Sequence, residues 1–67
     1  MGDVFETELW RRMTRALGDT YVRTWAETQT LAGLQGRTVA QALSDGVPAV
    51  VVWRAVWAAL ELPASER

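Results

Sequence analysis

A chain of 67 residues makes one small domain, and a core of this size rarely contributes more than about 3–5 kcal/mol to stability. The chain contains no Cys and no His, which excludes disulfides, thiolate zinc sites and histidine-based catalysis. Seven Arg and eight acidic residues give a net charge of −1, too balanced to argue for nucleic-acid or anionic-lipid binding. Stability must therefore come from dense packing, to which the four Trp contribute large apolar areas, or from self-association.

The first predicted helix begins near Asp3, which forms an acidic variant of a capping box with Glu6. Apolar residues then recur at helical spacing and predict the inward face: Phe5, Leu9, Met13 and Ala16 or Leu17. Glu8 precedes Arg12 by one turn, the favourable order for an ion pair. Gly18 is expected to end this helix in a left-handed conformation.

The second predicted helix runs from about 19 to 31, with Asp19 as its N-cap. Its inward face is predicted to consist of four residues: Tyr21, Val22, Trp25 and Ala26. The stretch LAGLQGR holds two glycines and predicts a turn or loop, which leaves Leu31 and Leu34 able to enter the core.

The third predicted helix opens at Thr38, because Thr38-Val39-Ala40-Gln41 matches a capping box, and Val39 and Leu43 are expected to face inward. Gly46 is expected to close it. Pro48 suits the first turn of a fourth helix that continues to about Glu61, since Pro63 prevents continuation. The predicted fold is all-α, a compact bundle of three to four short helices with a helix–Gly–helix corner near 38–61. Residues 1–67 form one domain, and 1–2 and 63–67 are expected to fray.

The segment VPAVVVWRAVWAALEL forms the spine of this predicted bundle. Its apolar run from 47 to 60 is shorter than the about 20 residues of a membrane span and has Arg54 in its middle, so a span is excluded. A helix apolar on nearly all sides is normally buried. Short neighbours cannot cover all of it, so the rest is covered either by the stems of Arg and Glu side chains or by another chain. In the second case the candidate partner surface consists of Val50, Val51, Arg54, Ala58 and Glu61. A weak homodimer would centre on Val51 and Ala58, with Arg54 and Glu61 at the rim.

Catalytic chemistry has little support in the chain. Ser44 lies at a helix end and Ser65 in the tail, the carboxylates are dispersed, and no glycine-rich phosphate loop follows a strand. We therefore expect no enzyme, no cofactor and no metal site. The N-terminal MGDVFETELWRR has no signal-peptide pattern, so a cytoplasmic protein is expected.

A helix-turn-helix is the alternative interpretation of residues 38–57. It places Ala42, Gly46 and Val52 at the positions where two helices cross closely. The second helix would then present six outward positions: Pro48, Ala49, Val50, Trp53, Arg54 and Trp57. These include one useful hydrogen-bond donor for bases or phosphates. A plain helical corner explains the same spacing.

The string RRMTR places Arg11, Arg12 and Arg15 on adjacent turns of the first helix, a candidate phosphate-binding patch of at most three contacts. A solvated helix face flanked by Glu8 and Asp19 explains the same residues.

Three strings carry a family resemblance: FETELWRRMTRALGDTYVRTWA, LQGRTVAQAL and GVPAVVVWRAVWAALELP. In this order they resemble the small actinobacterial domains of unknown function that are encoded near the recombinase RecA and its regulator RecX. The resemblance covers essentially the whole chain and implies a link to recombination or repair, but no catalytic or ligand residue. Two positions depart from the family pattern, which has Cys in place of Trp57 and Asp near Pro48.

The sequence thus predicts a non-catalytic, small helical protein-interaction module, which binds a protein partner or itself. The alternative is a helix-turn-helix-like nucleic-acid-binding or regulatory protein.

Overall fold

The computed structural model describes residues 4–66 and contains four helices, two very short strands and two 3₁₀ turns. The helices are α1 (Val4–Leu17), α2 (Val22–Thr28), α3 (Val39–Ser44) and α4 (Ala49–Ala59). The strands are β1 (Thr30–Leu31) and β2 (Arg37–Thr38), and the 3₁₀ turns are Ala32–Leu34 and Ala64–Glu66. The predicted cap at Asp3 and the predicted fraying of 1–2 fall outside the described residues.

Helix α1 follows the prediction in its middle and at its end. Leu9 and Met13 are buried, and Gly18 ends the helix at φ +88° with its N–H donating to the Thr14 carbonyl oxygen at 2.7 Å. Phe5 is predicted to face inward but is exposed. Of the alternatives Ala16 and Leu17, Leu17 is half-buried and packs against the core, whereas Ala16 is exposed. Phe5 lies in the first turn, beyond the part of α1 that the core covers.

Helix α2 is shorter than predicted, and the predicted N-cap at Asp19 is wrong. The Val22 N–H donates to the Gly18 carbonyl oxygen at 3.0 Å, so residues 18–21 form a turn and Tyr21 becomes the N-cap. Tyr21 is therefore exposed rather than inward. The prediction that Val22 and Trp25 are buried is confirmed.

A small antiparallel sheet corrects the all-α prediction to a mostly helical fold. β1 and β2 pair Thr30 with Thr38 and Leu31 with Arg37. Strands of two residues are too short to leave a periodic signal in the sequence. The LAGLQGR turn brings them together, and its Gln35 and Gly36 adopt positive φ values of 58° and 80°.

The α3–α4 corner forms as predicted. Thr38 Oγ1 accepts a hydrogen bond from the Gln41 N–H at 3.1 Å, and the Gln41 side chain accepts one from the Thr38 N–H at 2.9 Å. This reciprocal pair confirms the capping box that opens α3. Gly46 then closes α3 at φ +88°, and Val47 N–H donates to the Ala42 carbonyl oxygen at 2.9 Å.

Helix α4 forms the centre of the core, as the spine prediction required. Val52 and Val56 have no exposed surface, and Trp53 is 5% exposed. The helix packs against α1 on one side and against the Ala32–Leu34 turn on another. Gly33 permits the second contact, because a Cβ built there would lie 3.0 Å from the Cβ of Ala55. The core residues from α1 and the LAGLQGR turn that surround α4 are Leu9, Met13, Leu31 and Leu34.

The end of α4 differs from the prediction, because the helix stops at Ala59 rather than near Glu61. Leu62 N–H donates to the Trp57 carbonyl oxygen at 3.1 Å and Glu61 N–H to that of Ala58 at 3.2 Å, a Schellman motif. Glu61 occupies the left-handed position of this motif at φ +52°. The indole Nε1 of Trp57 donates to the Pro63 carbonyl oxygen at 2.9 Å, which connects the C-terminal segment to α4.

We predict that Trp53→Ala unfolds the domain. Replacing a buried large side chain by Ala costs about 3–5 kcal/mol, comparable to the whole stability of a small domain. Thermal unfolding followed by circular dichroism measures this effect. Val50→Ala is the control. Because Val50 is 53% exposed, shortening its side chain removes few packing contacts. A folded Trp53→Ala variant with an unchanged melting temperature contradicts the core assignment.

We predict that Glu61→Gly stabilises the domain by about 0.5–1 kcal/mol, because Gly adopts the left-handed conformation without the steric cost that a Cβ imposes. Glu61→Ala is the matched control, since it removes the charge at the C-terminus of α4 but keeps the Cβ. Chemical denaturation measures both variants. Equal stabilisation by Ala and Gly would show that the charge, and not the backbone conformation, is responsible.

Candidate protein-interaction surface

One side of α4 stays exposed in the described structure. Val50 is 53% and Val51 44% exposed, and Arg54 and Ala58 are exposed as well. At about 100° per residue, these positions fall within an arc of about 100° on the helix. We call Val50, Val51, Arg54 and Ala58 the α4 face.

Four of the five residues predicted as a partner surface therefore lie together on the α4 face. Glu61 is also exposed, but it lies beyond the end of α4 in the Schellman motif. Helical spacing places Arg54 between Val50 and Ala58, and so inside the face rather than at its rim. A partner that covers the face must therefore accommodate a guanidinium group at its centre.

A cleft between α1 and α4 adjoins the α4 face and has a volume of about 220 Å³. We call it the α1–α4 cleft. Four residues of α1 and four of α4 line it: Phe5, Glu8, Leu9, Arg12, Ala49, Val50, Trp53 and Arg54. Leu9, Ala49 and Trp53 are buried and form its floor, whereas Phe5 and Val50 are 66% and 53% exposed. The cleft is therefore apolar in its depth and open at its edges.

Phe5 is an exposed apolar residue of the cleft lining that the sequence prediction assigned to the core. Its spacing of four residues from Leu9 matches the inward face of α1, which led to the core prediction. Its position in the first turn of α1 is the sequence feature that could have predicted its exposure. Neighbouring elements rarely cover the first turn of a helix that begins a chain segment.

The charges around the α1–α4 cleft are unequally paired. The Glu8 carboxylate contacts Arg12 at 3.1 Å, as predicted, and Arg11 at 3.6 Å. Arg12 also lies over the Trp53 ring, with its guanidinium carbon 5.7 Å from the ring centroid. Arg54 is exposed, and within the described residues it takes part in no ion pair.

These contacts leave fewer free cations in the candidate phosphate patch, which consists of Arg11, Arg12 and Arg15. Arg11 and Arg12 share the Glu8 carboxylate, and Arg12 is also held against Trp53. Arg15 is exposed near the end of α1. A phosphate would therefore compete with Glu8 for two of the three cations, which reduces the expected number of contacts.

The helix-turn-helix interpretation keeps three of its six outward positions. Ala49 and Trp53, which that alignment turns outward, are buried, and Trp57 is half-buried. The outward positions that remain exposed are Pro48, Val50 and Arg54. This surface offers one cationic side chain to a nucleic acid.

Neither a metal site nor a membrane segment is found in the part of the chain that the structure describes. Its described side chains include no group of three or more acidic residues arranged to hold a metal ion. None of the helices in the same region has the length and apolar character that crossing a bilayer requires.

Comparison with protein families gives one match. The model described as "Protein of unknown function (DUF3046)" matches residues 5–65, which include nearly all of the four helices and the sheet. The chain belongs to the DUF3046 family. Comparisons of this DUF3046 chain with curated proteins and with solved structures give no match.

We predict that this DUF3046 domain binds duplex DNA no more tightly than the weak non-specific range, with a Kd of about 10⁻⁴–10⁻⁶ M. The reason is that the α4 face supplies one cation, and two of the three α1 arginines share the Glu8 carboxylate. Mobility shift over a salt series measures the affinity and the number of phosphates contacted. A sub-micromolar, sequence-selective complex at physiological salt would contradict the prediction and restore the helix-turn-helix alternative.

Proposed function

We propose that the DUF3046 chain is a non-catalytic protein-interaction module that binds its partner through the α4 face. The observation that carries the proposal is the exposure of Val50 and Val51, at 53% and 44%, on the helix whose other sides form the core. Because α4 is fixed by that core, the α4 face is a rigid surface. A rigid surface loses little conformational entropy on binding.

The chemistry of the chain supports a binding role over a catalytic one. It has no His or Cys, and the described side chains include no acidic cluster that could hold a metal ion. The α4 face instead combines two valines and an alanine with one arginine. Apolar contact area with a central Arg is a composition enriched in protein interfaces.

A weak homodimer is one form that this interaction can take. A two-fold axis near Ala58 would bring Arg54 of one copy towards Glu61 of a second copy, since these residues lie on opposite sides of position 58. Ala58 would be covered in both copies, because a two-fold interface uses the same patch twice, and Val51 would lie at the edge of the contact. The exposed area is small, so we expect weak association.

The cellular setting of this module is part of the proposal. The resemblance to actinobacterial domains encoded near RecA and RecX supports a role beside recombination or repair, in the cytoplasm. RecA and RecX are accordingly the first partners to test.

The proposal is tested by placing a charge on the α4 face. We predict that Ala58→Glu and Val51→Glu each leave the domain folded, because both side chains are exposed, and abolish association. Sedimentation equilibrium over a concentration series measures homodimerisation, and immobilised domain measures binding of purified RecA and RecX. The matched control is Ala16→Glu, an equivalent change at an exposed position of α1.

Three results would contradict the proposal. One is a wild-type chain that stays monomeric at millimolar concentration and binds neither candidate partner. Another is association that Ala58→Glu and Val51→Glu leave unchanged. The third is unfolding by Ala58→Glu, which would assign Ala58 to the core.

A further inference from the structure

We propose that the α1–α4 cleft binds an acidic amphipathic helix from a different protein. One apolar side chain of that helix enters the cleft, and a carboxylate one helical turn away pairs with Arg54. This inference rests on the proposed function and deepens it, because it specifies the chemistry of the partner and a second contact region beside the α4 face.

The cleft has the size and lining of a pocket for one apolar anchor. Its volume of about 220 Å³ exceeds the about 150 Å³ of an engineered cavity that binds benzene. Leu9, Ala49 and Trp53 provide an apolar floor, and Phe5 and Val50 provide exposed apolar edges. An inserted side chain would remove both edges from water, as buried anchors do at the centre of protein interfaces.

The charge around the cleft selects an acidic partner. The Glu8 carboxylate already forms ion pairs with Arg12 at 3.1 Å and with Arg11 at 3.6 Å. Arg54 is the cation that stays exposed at the mouth, and it has no ion-pair partner among residues 4–66. The mouth is thus locally positive although the whole chain carries a net charge of −1. A carboxylate complements this mouth, whereas a basic partner is repelled.

The walls of the cleft favour a helical partner. Both walls consist of helix side chains, so they provide no open strand edge to which an extended peptide could add. Val50 and Arg54 are four residues apart on α4 and therefore one turn apart. A partner helix that places an apolar anchor beside Val50 and a carboxylate beside Arg54 needs the same spacing of about one turn.

A second copy of this chain does not fit the cleft. A two-fold axis through the cleft mouth would bring Arg54 near Arg54 of the second copy, and like charges that face each other oppose association. A two-fold axis near Ala58 avoids this repulsion but leaves Phe5 and the cleft uncovered. The cleft and a homodimer at Ala58 are therefore separate binding events.

A displayed library of amphipathic helical peptides tests the inference. The library keeps apolar residues at helical spacing and randomises the flanking positions among acidic, basic and neutral residues. We expect selection on the wild-type domain to enrich peptides with an apolar anchor and an Asp or Glu one turn away. Arg54→Glu should weaken their binding by at least about tenfold, whereas Arg23→Glu, at an exposed position of α2 outside the cleft lining, should not.

Charge reversal separates a direct contact from a structural effect. A selected peptide whose acidic residue is changed to Lys should bind Arg54→Glu better than it binds the wild type. Val50→Glu, which places a carboxylate at the edge of the cleft, should also abolish binding of the selected acidic peptides. Circular dichroism of each variant establishes that it is folded.

Several outcomes would overturn the inference. These are no enrichment, enrichment of basic peptides, equal binding to the wild type and Arg54→Glu, and absence of the charge-reversal rescue. Peptides that lose binding with Val51→Glu but keep it with Val50→Glu would also overturn it, because Val51 does not line the cleft. That last result would leave the proposed function standing, since Val51 belongs to the α4 face.

Discussion

The packing of α4 against α1 and against the Ala32–Leu34 turn is the contact on which the rest of the structure depends. α4 contributes Val52, Trp53 and Val56 to one core that must stabilise the domain without disulfides, since the chain contains no Cys. The approach of the turn to α4 is favoured by Gly33, because a Cβ there would lie 3.0 Å from the Ala55 Cβ and would push the two elements apart. Small residues at this contact therefore let a short chain achieve dense packing.

The same packing creates the candidate binding surface. The core covers the other sides of α4, and the remaining side leaves Val50 and Val51 exposed to water. The first turn of α1 extends past the core, so Phe5 is exposed at the edge of the cleft. Trp53 connects stability with recognition, because its buried ring forms part of the cleft floor and lies beneath Arg12. Arg12 and Glu8 form an ion pair beside the cleft. Within the described residues Arg54 forms no ion pair, so its guanidinium group is available to a partner.

Local sequence signals correctly predicted those features whose hydrogen bonds join residues only a few positions apart. Gly18 and Gly46 end their helices at φ +88°, and Thr38 with Gln41 forms the predicted capping box. The pairing of Glu8 with Arg12 also follows from their spacing on one helix. The apolar character of α4 predicted both its central position and the side that stays exposed, because hydrophobic periodicity is itself a local property.

Tertiary contacts decided what periodicity could not. Whether Phe5 is covered depends on where neighbouring elements end, and the two-residue strands pair only because the LAGLQGR turn folds back between them. Asp19 has the chemistry of an N-cap, but the bond from Val22 N–H to the Gly18 carbonyl delays α2 until Val22. The α1–α4 cleft likewise combines residues far apart in the chain, such as Phe5 and Val50, which are 45 positions apart. The sequence by itself determined the four helices, the capping box of α3, the glycine ends of α1 and α3, and the burial of α4. Only the tertiary structure decided where α2 begins and which side chains share the cleft, because both depend on contacts between elements rather than on spacing within one.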